Sequence, residues 1–148
     1  MKTRTLVFII IFLLVAAMIL ISAQCDNGVT PSYIGTWINP DYDGGVGDSG
    51  KMVITHVSGD DYLCTMYVNH DDTVPEQTVP FTITNEWTDS EGNLFGESIS
   101  YPGDPPVMYS LFKIHADNQT MEGNVSDIDY PTEIDPAGED YFIMYRQE

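Results

Sequence analysis

The sequence predicts an all-β domain of eight antiparallel strands that closes into an up-and-down barrel. Runs rich in Val, Ile, Thr, Tyr and Phe are separated by clusters of Gly, Asp, Asn and Pro, which is typical of strands and turns. None of these runs has sustained helical periodicity. Because most connections are short, successive strands should be neighbours, and closing the sheet removes its exposed edges. A two-sheet β-sandwich is the alternative architecture.

The chain of 148 residues opens with a segment unlike the rest. Lys2 and Arg4 precede an uninterrupted apolar run over residues 6–21, and small residues follow as far as Ala23. A basic start, an apolar run and a small-residue exit are the parts of a secretory signal. We therefore predict a helical signal peptide over residues 1–23, with an uncleaved membrane anchor as the alternative.

Residues 24–32 are predicted to be a linker, and residues 33–148 the barrel domain. The linker contains Cys25, the first cysteine after the apolar run, which makes it a candidate for lipid attachment in a lipoprotein. In an oxidising compartment Cys25 could instead form a disulfide with Cys64. The other expectation for Cys64 is a buried free thiol, because it lies within a strand pattern.

The charge of the chain excludes several classes of partner. After residue 23 the only cations are Lys51, Lys113 and Arg146, against 23 acidic residues, a formal charge of about −20. Such an acidic surface repels nucleic acids and anionic lipid headgroups. We expect an extracytoplasmic monomer, secreted or in the cell envelope, that meets a membrane only through its N-terminal segment.

Eight strands are predicted in order along the domain, joined mostly by short turns. Their bounds are Tyr33–Ile38, Met52–Val57, Tyr62–Asn69, Thr78–Trp87, Leu94–Tyr101, Val107–His115, Gln119–Asp127 and Tyr141–Gln147. The fourth run has the cleanest alternation, which places Val79, Phe81, Ile83 and Trp87 on one face. A longer irregular stretch, residues 128–139, contains two prolines and should not be helical.

The first strand contains Gly35-Thr36-Trp37, and the last contains Arg146, the only arginine of the domain. In this respect the chain resembles the calycin superfamily, which includes lipocalins, fatty-acid-binding proteins and avidins. In lipocalins the tryptophan closes one end of the barrel against an arginine of the last strand. The resemblance therefore implies a shared structural role for Gly35, Trp37 and Arg146, with the guanidinium over the indole face.

We expect a non-enzymatic protein that binds a small apolar or amphipathic ligand inside the barrel. The predicted lining residues are Met66, Phe81, Ile83, Phe95, Ile99 and Tyr109. Glu97 shares a face with Phe95 and Ile99, so it lies either inside the barrel or, if this face is the outer one, in solvent. The alternative function is an acidic protein–protein interaction or inhibitor-like module without a cavity.

No catalytic residues and no cofactor are predicted from the sequence. Asp41, Asp43 and Asp48 lie in a loop whose oxygen-bearing residues are spaced like the first half of a calcium-binding loop, which makes them a weak Ca²⁺ candidate. The three histidines lack the spacing of metal ligands.

Overall fold

The computed structural model describes residues 30–41, 49–68, 77–101 and 107–148. They contain eight strands and no helix. The strands are β1 (Gly35–Ile38), β2 (Ser49–Ser58), β3 (Asp61–Val68), β4 (Gln77–Thr88), β5 (Leu94–Ser100), β6 (Met108–Ile114), β7 (Thr120–Ser126) and β8 (Tyr141–Arg146). The predicted signal peptide and Cys25 lie outside the described residues.

The strands form a closed barrel in chain order, and every neighbouring pair is antiparallel. The barrel closes where β8 returns to β1, with Trp37 opposite Arg146 and Ile38 opposite Tyr145. The predicted up-and-down barrel is therefore confirmed, and the β-sandwich is excluded. Connections at successive strand ends alternate between the two ends of the barrel, as this topology requires.

Trp37 and Tyr33 fill one end of the barrel. The Trp37 side chain is fully buried, and its Nε1 donates a hydrogen bond to the Tyr33 carbonyl at 2.9 Å. The Tyr33 ring packs edge-on against Phe112, and its hydroxyl donates to the Phe95 carbonyl at 2.9 Å. Burial, together with the nearby Glu86 carboxylate, raises the pKa of the Tyr33 hydroxyl, so it remains a neutral donor.

Arg146 seals this end from outside. Its guanidinium lies 4.2 Å from the centre of the Trp37 ring, the arrangement that the calycin resemblance implies. The same group donates hydrogen bonds of 2.7 Å to the carbonyls of Ser32, Ile34 and Asn118. Gly35 leaves room for it, because a Cβ at this position would collide with the guanidinium.

A bulge in β4 reverses the side-chain alternation of that strand. Ile83 pairs with Ser98, but Asn85 pairs with Glu97, so Thr84 is an extra residue. Trp87 therefore points outward and stacks on Phe95 with ring centres 5.1 Å apart. The prediction that Trp87 shares the inner face with Ile83 is wrong because simple alternation does not continue across a bulge.

The connection between β7 and β8 packs along the outside of the barrel. The Tyr130 ring lies 4.9 Å from the Tyr109 ring, and its hydroxyl is 2.9 Å from that of Thr84. Further along, the Asn124 side chain accepts a hydrogen bond of 2.7 Å from the Asp135 amide. These contacts cover an outer face that would otherwise expose aromatic and aliphatic side chains.

Glu122 is the centre of a polar network on the outer face of β7. Its carboxylate lies 3.5 Å from the Lys113 ammonium and 2.9 Å from the His115 ring, and the Tyr141 hydroxyl donates to it at 3.0 Å. Partial burial would raise the pKa of Glu122, but the hydrogen bonds from His115 and Tyr141 and the neighbouring positive charges lower it on balance.

We expect Arg146→Lys to reduce the free energy of unfolding by about 2–3 kcal/mol. A single ammonium cannot bond three divergent carbonyls while it covers the indole. Urea denaturation followed by tryptophan fluorescence measures the change. Lys113→Ala is the control, because one partly exposed ion pair contributes about 1 kcal/mol or less. Equal losses in the two variants would contradict the central role of Arg146.

We expect the stabilising effect of Glu122 to depend on pH. Because its folded-state pKa is below the ordinary value of 4.5, its contribution is present above pH 4.5 and is lost as the pH falls through the folded-state pKa. The difference in unfolding free energy between the wild type and Glu122→Gln should therefore shrink as the solution is acidified. Glu97→Gln is the control, since no described side chain bonds that carboxylate. A difference that is independent of pH would refute this account.

Candidate functional site

A cavity of about 480 Å³ occupies the interior between the Trp37 end and the opposite end of the barrel. Phe112 and Met121 line its deeper part. Gly50 and Gln77, at the ends of β2 and β4, and Asn39, just after β1, lie at its mouth. This volume falls within the range of sites for small organic ligands. It far exceeds the voids of about one water molecule that occur in packed cores.

Methionine side chains provide much of the cavity wall. All five methionines that follow the predicted signal peptide line it: Met52, Met66, Met108, Met121 and Met144. Two pairs lie directly opposite each other on neighbouring strands, Met52 with Met66 and Met121 with Met144. Unbranched thioether side chains adapt to irregular shapes, so this part of the wall is apolar and adjustable.

Three serines form a polar strip on the wall made by β5 and β6. Ser98 and Ser100 belong to β5, and Ser110, on β6, lies directly opposite Ser98. The Ser100 hydroxyl donates to the Met108 carbonyl at 3.3 Å. Ser98 is a buried residue, only 5% exposed.

Cys64 contributes a buried free thiol to the cavity wall. Burial raises its pKa to about 11, so the thiol is protonated and weakly polar at neutral pH. Of the two expectations for Cys64, the structure therefore shows the buried free thiol and not the disulfide with Cys25.

Of the predicted lining residues, the structure brings Met66 and Phe81 to the cavity. Ile83 points inward and is buried in the core, but it does not line the cavity.

The predicted inward orientation of Phe95, Ile99 and Tyr109 is wrong, and of the two positions considered for Glu97 the outer one is observed. On β5 the inner residues are those at even positions, since Gly96 lies against the Tyr33 hydroxyl and the Phe112 ring. Phe95 and Ile99 are half-buried on the outer face, where the Trp87 ring stacks on Phe95. Ile99 lies opposite Tyr109, which Tyr130 covers, and Glu97 is on the same outer face.

The remaining lining residues were missed, although a sequence signal was present. Met52 lies two residues before Ile54, Met144 two after Phe142, and Met121 four before Val125. Each spacing places the methionine on the same strand face as a hydrophobic residue that lines the cavity. The serines gave no such signal, because small polar residues usually mark the wet face of a strand.

Lys51 is the one cation that lines the cavity among the described residues. Its ammonium lies 4.9 Å from the centre of the Tyr67 ring, near the mouth. Lys113 and Arg146 are engaged elsewhere, with Glu122 on the outer face and with the sealed end.

The calcium candidate is only partly described. Asp41 is exposed, and its amide bonds the Asn39 side chain, whereas Asp43 and Asp48 lie outside the described residues. Within the described ranges, no three His, Cys, Asp or Glu side chains are grouped to hold a metal ion.

Comparison with protein-family models, curated proteins and solved structures found no match. In the part of the chain that the structure covers, no helix has the length and apolar character needed to cross a membrane. The cavity is therefore interpreted from its own residues.

We expect Cys64 to react slowly with a thiol reagent in the folded protein. In a Cys25→Ser variant it is the only cysteine, and its reaction with Ellman's reagent should be at least about tenfold slower than in urea. The rate should keep rising with pH above the ordinary thiol value of 9.0, because the thiolate is the reactive form. A folded protein that reacts as fast as the unfolded chain would contradict the buried position.

Proposed function

We propose that this protein is an exported, non-enzymatic binding protein of calycin type that holds a small, largely apolar molecule inside its barrel. The observation that carries the proposal is the 480 Å³ cavity, which is sealed at the Trp37 end and lined mainly by apolar side chains. Burying an apolar ligand against such walls removes water from both surfaces and favours binding by about 25 cal/mol per Å² of apolar area.

Two further features support the proposal. The N-terminal segment has the pattern of a secretory signal, which favours export. The Gly35–Trp37 motif and the stacking of Arg146 on Trp37, within an eight-stranded barrel, favour a relationship to the calycins. The alternative, an acidic interaction module, predicts a packed interior without a cavity, so the open interior weighs against it.

Binding of a neutral fluorescent probe tests the proposal. N-phenylnaphthylamine should bind the wild type saturably, with one molecule for each barrel. Val79→Trp places an indole in the cavity, because Val79 lines it, and we expect at least about tenfold weaker binding, or about 1.4 kcal/mol. Fluorescence titration measures both affinities.

Thr78→Trp is the matched control. Thr78 is adjacent to Val79 on the opposite, exposed face of β4, so the same substitution should leave probe affinity unchanged. The proposal is refuted if the wild type fails to bind the probe saturably, or if both variants weaken binding equally while the melting temperature shows that they are folded.

A further inference from the structure

The Ser98 hydroxyl is a buried polar group that faces the cavity. Its residue is 5% exposed and lies between Ile83 on β4 and Ser110 on β6. Among the described residues nothing forms a hydrogen bond with its hydroxyl. Leaving a buried hydroxyl unpaired costs about 1–3 kcal/mol. We therefore expect the Ser98 hydroxyl to find its hydrogen-bond partner outside the chain.

Ser110 places a second hydroxyl beside that of Ser98. Residues directly opposite on antiparallel strands have Cβ atoms about 4.5–5.5 Å apart, so the two hydroxyls can both reach a single atom between them. Neither the Ser98 nor the Ser110 side chain is bonded by another described residue. Ser100 differs, because its hydroxyl already donates to a backbone carbonyl.

The Ser98–Ser110 pair lies midway along the cavity wall, between Met108 at the mouth and Phe112 near the base. Phe112 is two residues after Ser110 on β6, and its ring packs against the Tyr33 ring of the sealed end. Methionines cover much of the remaining wall, from Met108 at the mouth to Met121 near the base. A ligand that satisfies both regions is therefore apolar along most of its length and carries a polar atom that lies beside Ser98 and Ser110 when it is bound.

The charge distribution decides which polar group fits. A serine hydroxyl both donates and accepts, so it suits a hydroxyl or carbonyl oxygen. A carboxylate buried at this depth needs a cation, and the cation that lines the cavity, Lys51, belongs to β2 and lies at the mouth over Tyr67. The formal charge of about −20 outside the signal peptide further opposes an anion.

We infer that Ser98 and Ser110 form a subsite for the hydroxyl or carbonyl oxygen of a neutral, otherwise apolar ligand, and that this subsite selects against carboxylates. The inference rests on the proposed function, because it specifies the ligand of the same cavity.

Displacement of N-phenylnaphthylamine from the full chain tests the subsite with decanol, decanoate and decane. At neutral pH decanol should compete at least about tenfold better than decanoate, since the carboxylate loses hydration without gaining a cation. Acidification toward the carboxyl pKa should strengthen competition by the decanoic acid and leave that of decanol unchanged. Equal competition by decanol and decanoate at neutral pH would overturn the selection for a neutral group.

The variants Ser98→Ala and Ser58→Ala locate the polar contact. Each removes one hydroxyl: Ser98 lines the cavity, whereas Ser58 is exposed at the end of β2 and does not line it. Ser98→Ala should weaken decanol binding about fivefold to tenfold and leave decane and the probe within about twofold of the wild type. Ser58→Ala should change none of these affinities by more than about twofold, since Ser58 does not line the cavity.

The outcomes of this experiment are distinguishable. If the wild type binds the probe but Ser98→Ala weakens decanol no more than Ser58→Ala does, the subsite is overturned while the binding function stands. If Ser98→Ala weakens decane and decanol equally, the residue acts through packing, and the subsite is likewise overturned. Failure of the wild type to bind the probe overturns the proposed function and the subsite together.

Discussion

The contact between Arg146 and Trp37 is the constraint on which the rest of the barrel depends. The closing pair of strands, β1 and β8, is joined through two residue pairs, and one of them is Trp37 with Arg146. The guanidinium also bonds carbonyls before β1 and in the turn before β7, so it ties three separate parts of the chain together. Without this closing contact between β1 and β8 the sheet would have two unpaired edges, and the cavity would have no base.

Close packing at the sealed end stabilises the barrel and offsets the contacts that are lost around the cavity. The large side chains of Trp37, Tyr33 and Phe112 lie at one end of the barrel, where the Tyr33 and Phe112 rings pack edge to face. Toward the other end the inner wall changes to serines and flexible methionines. A void of about 480 Å³ forfeits dispersion contacts along its whole lining. A fold stabilised at one end can tolerate that loss at the other.

The strands, their order and the pairing of Trp37 with Arg146 could be predicted from the sequence, whereas the inner face of β5 could not. Alternation identifies two faces of a strand, and Phe95 and Ile99 made one of them the more apolar. The other face is nevertheless the inner one, because Tyr33 and Phe112 need the space above Gly96. Aromatic rings from Trp87 and Tyr130 then bury the apolar face from outside. Both contacts are tertiary, because Trp87 follows a bulge in β4 and Tyr130 lies in the long connection between β7 and β8. The alternation within a single strand gives no information about either contact.

The composition of the cavity wall suggests how such a site would discriminate between ligands. Methionine side chains change rotamer easily, so a wall built from two facing methionine pairs can fit many apolar shapes and selects weakly among them. Ser98 and Ser110 have short side chains fixed to paired strands, so their hydroxyls have little freedom to follow a misplaced partner. Selectivity in a cavity of this kind therefore depends on the presence and charge of one polar atom more than on the outline of the ligand.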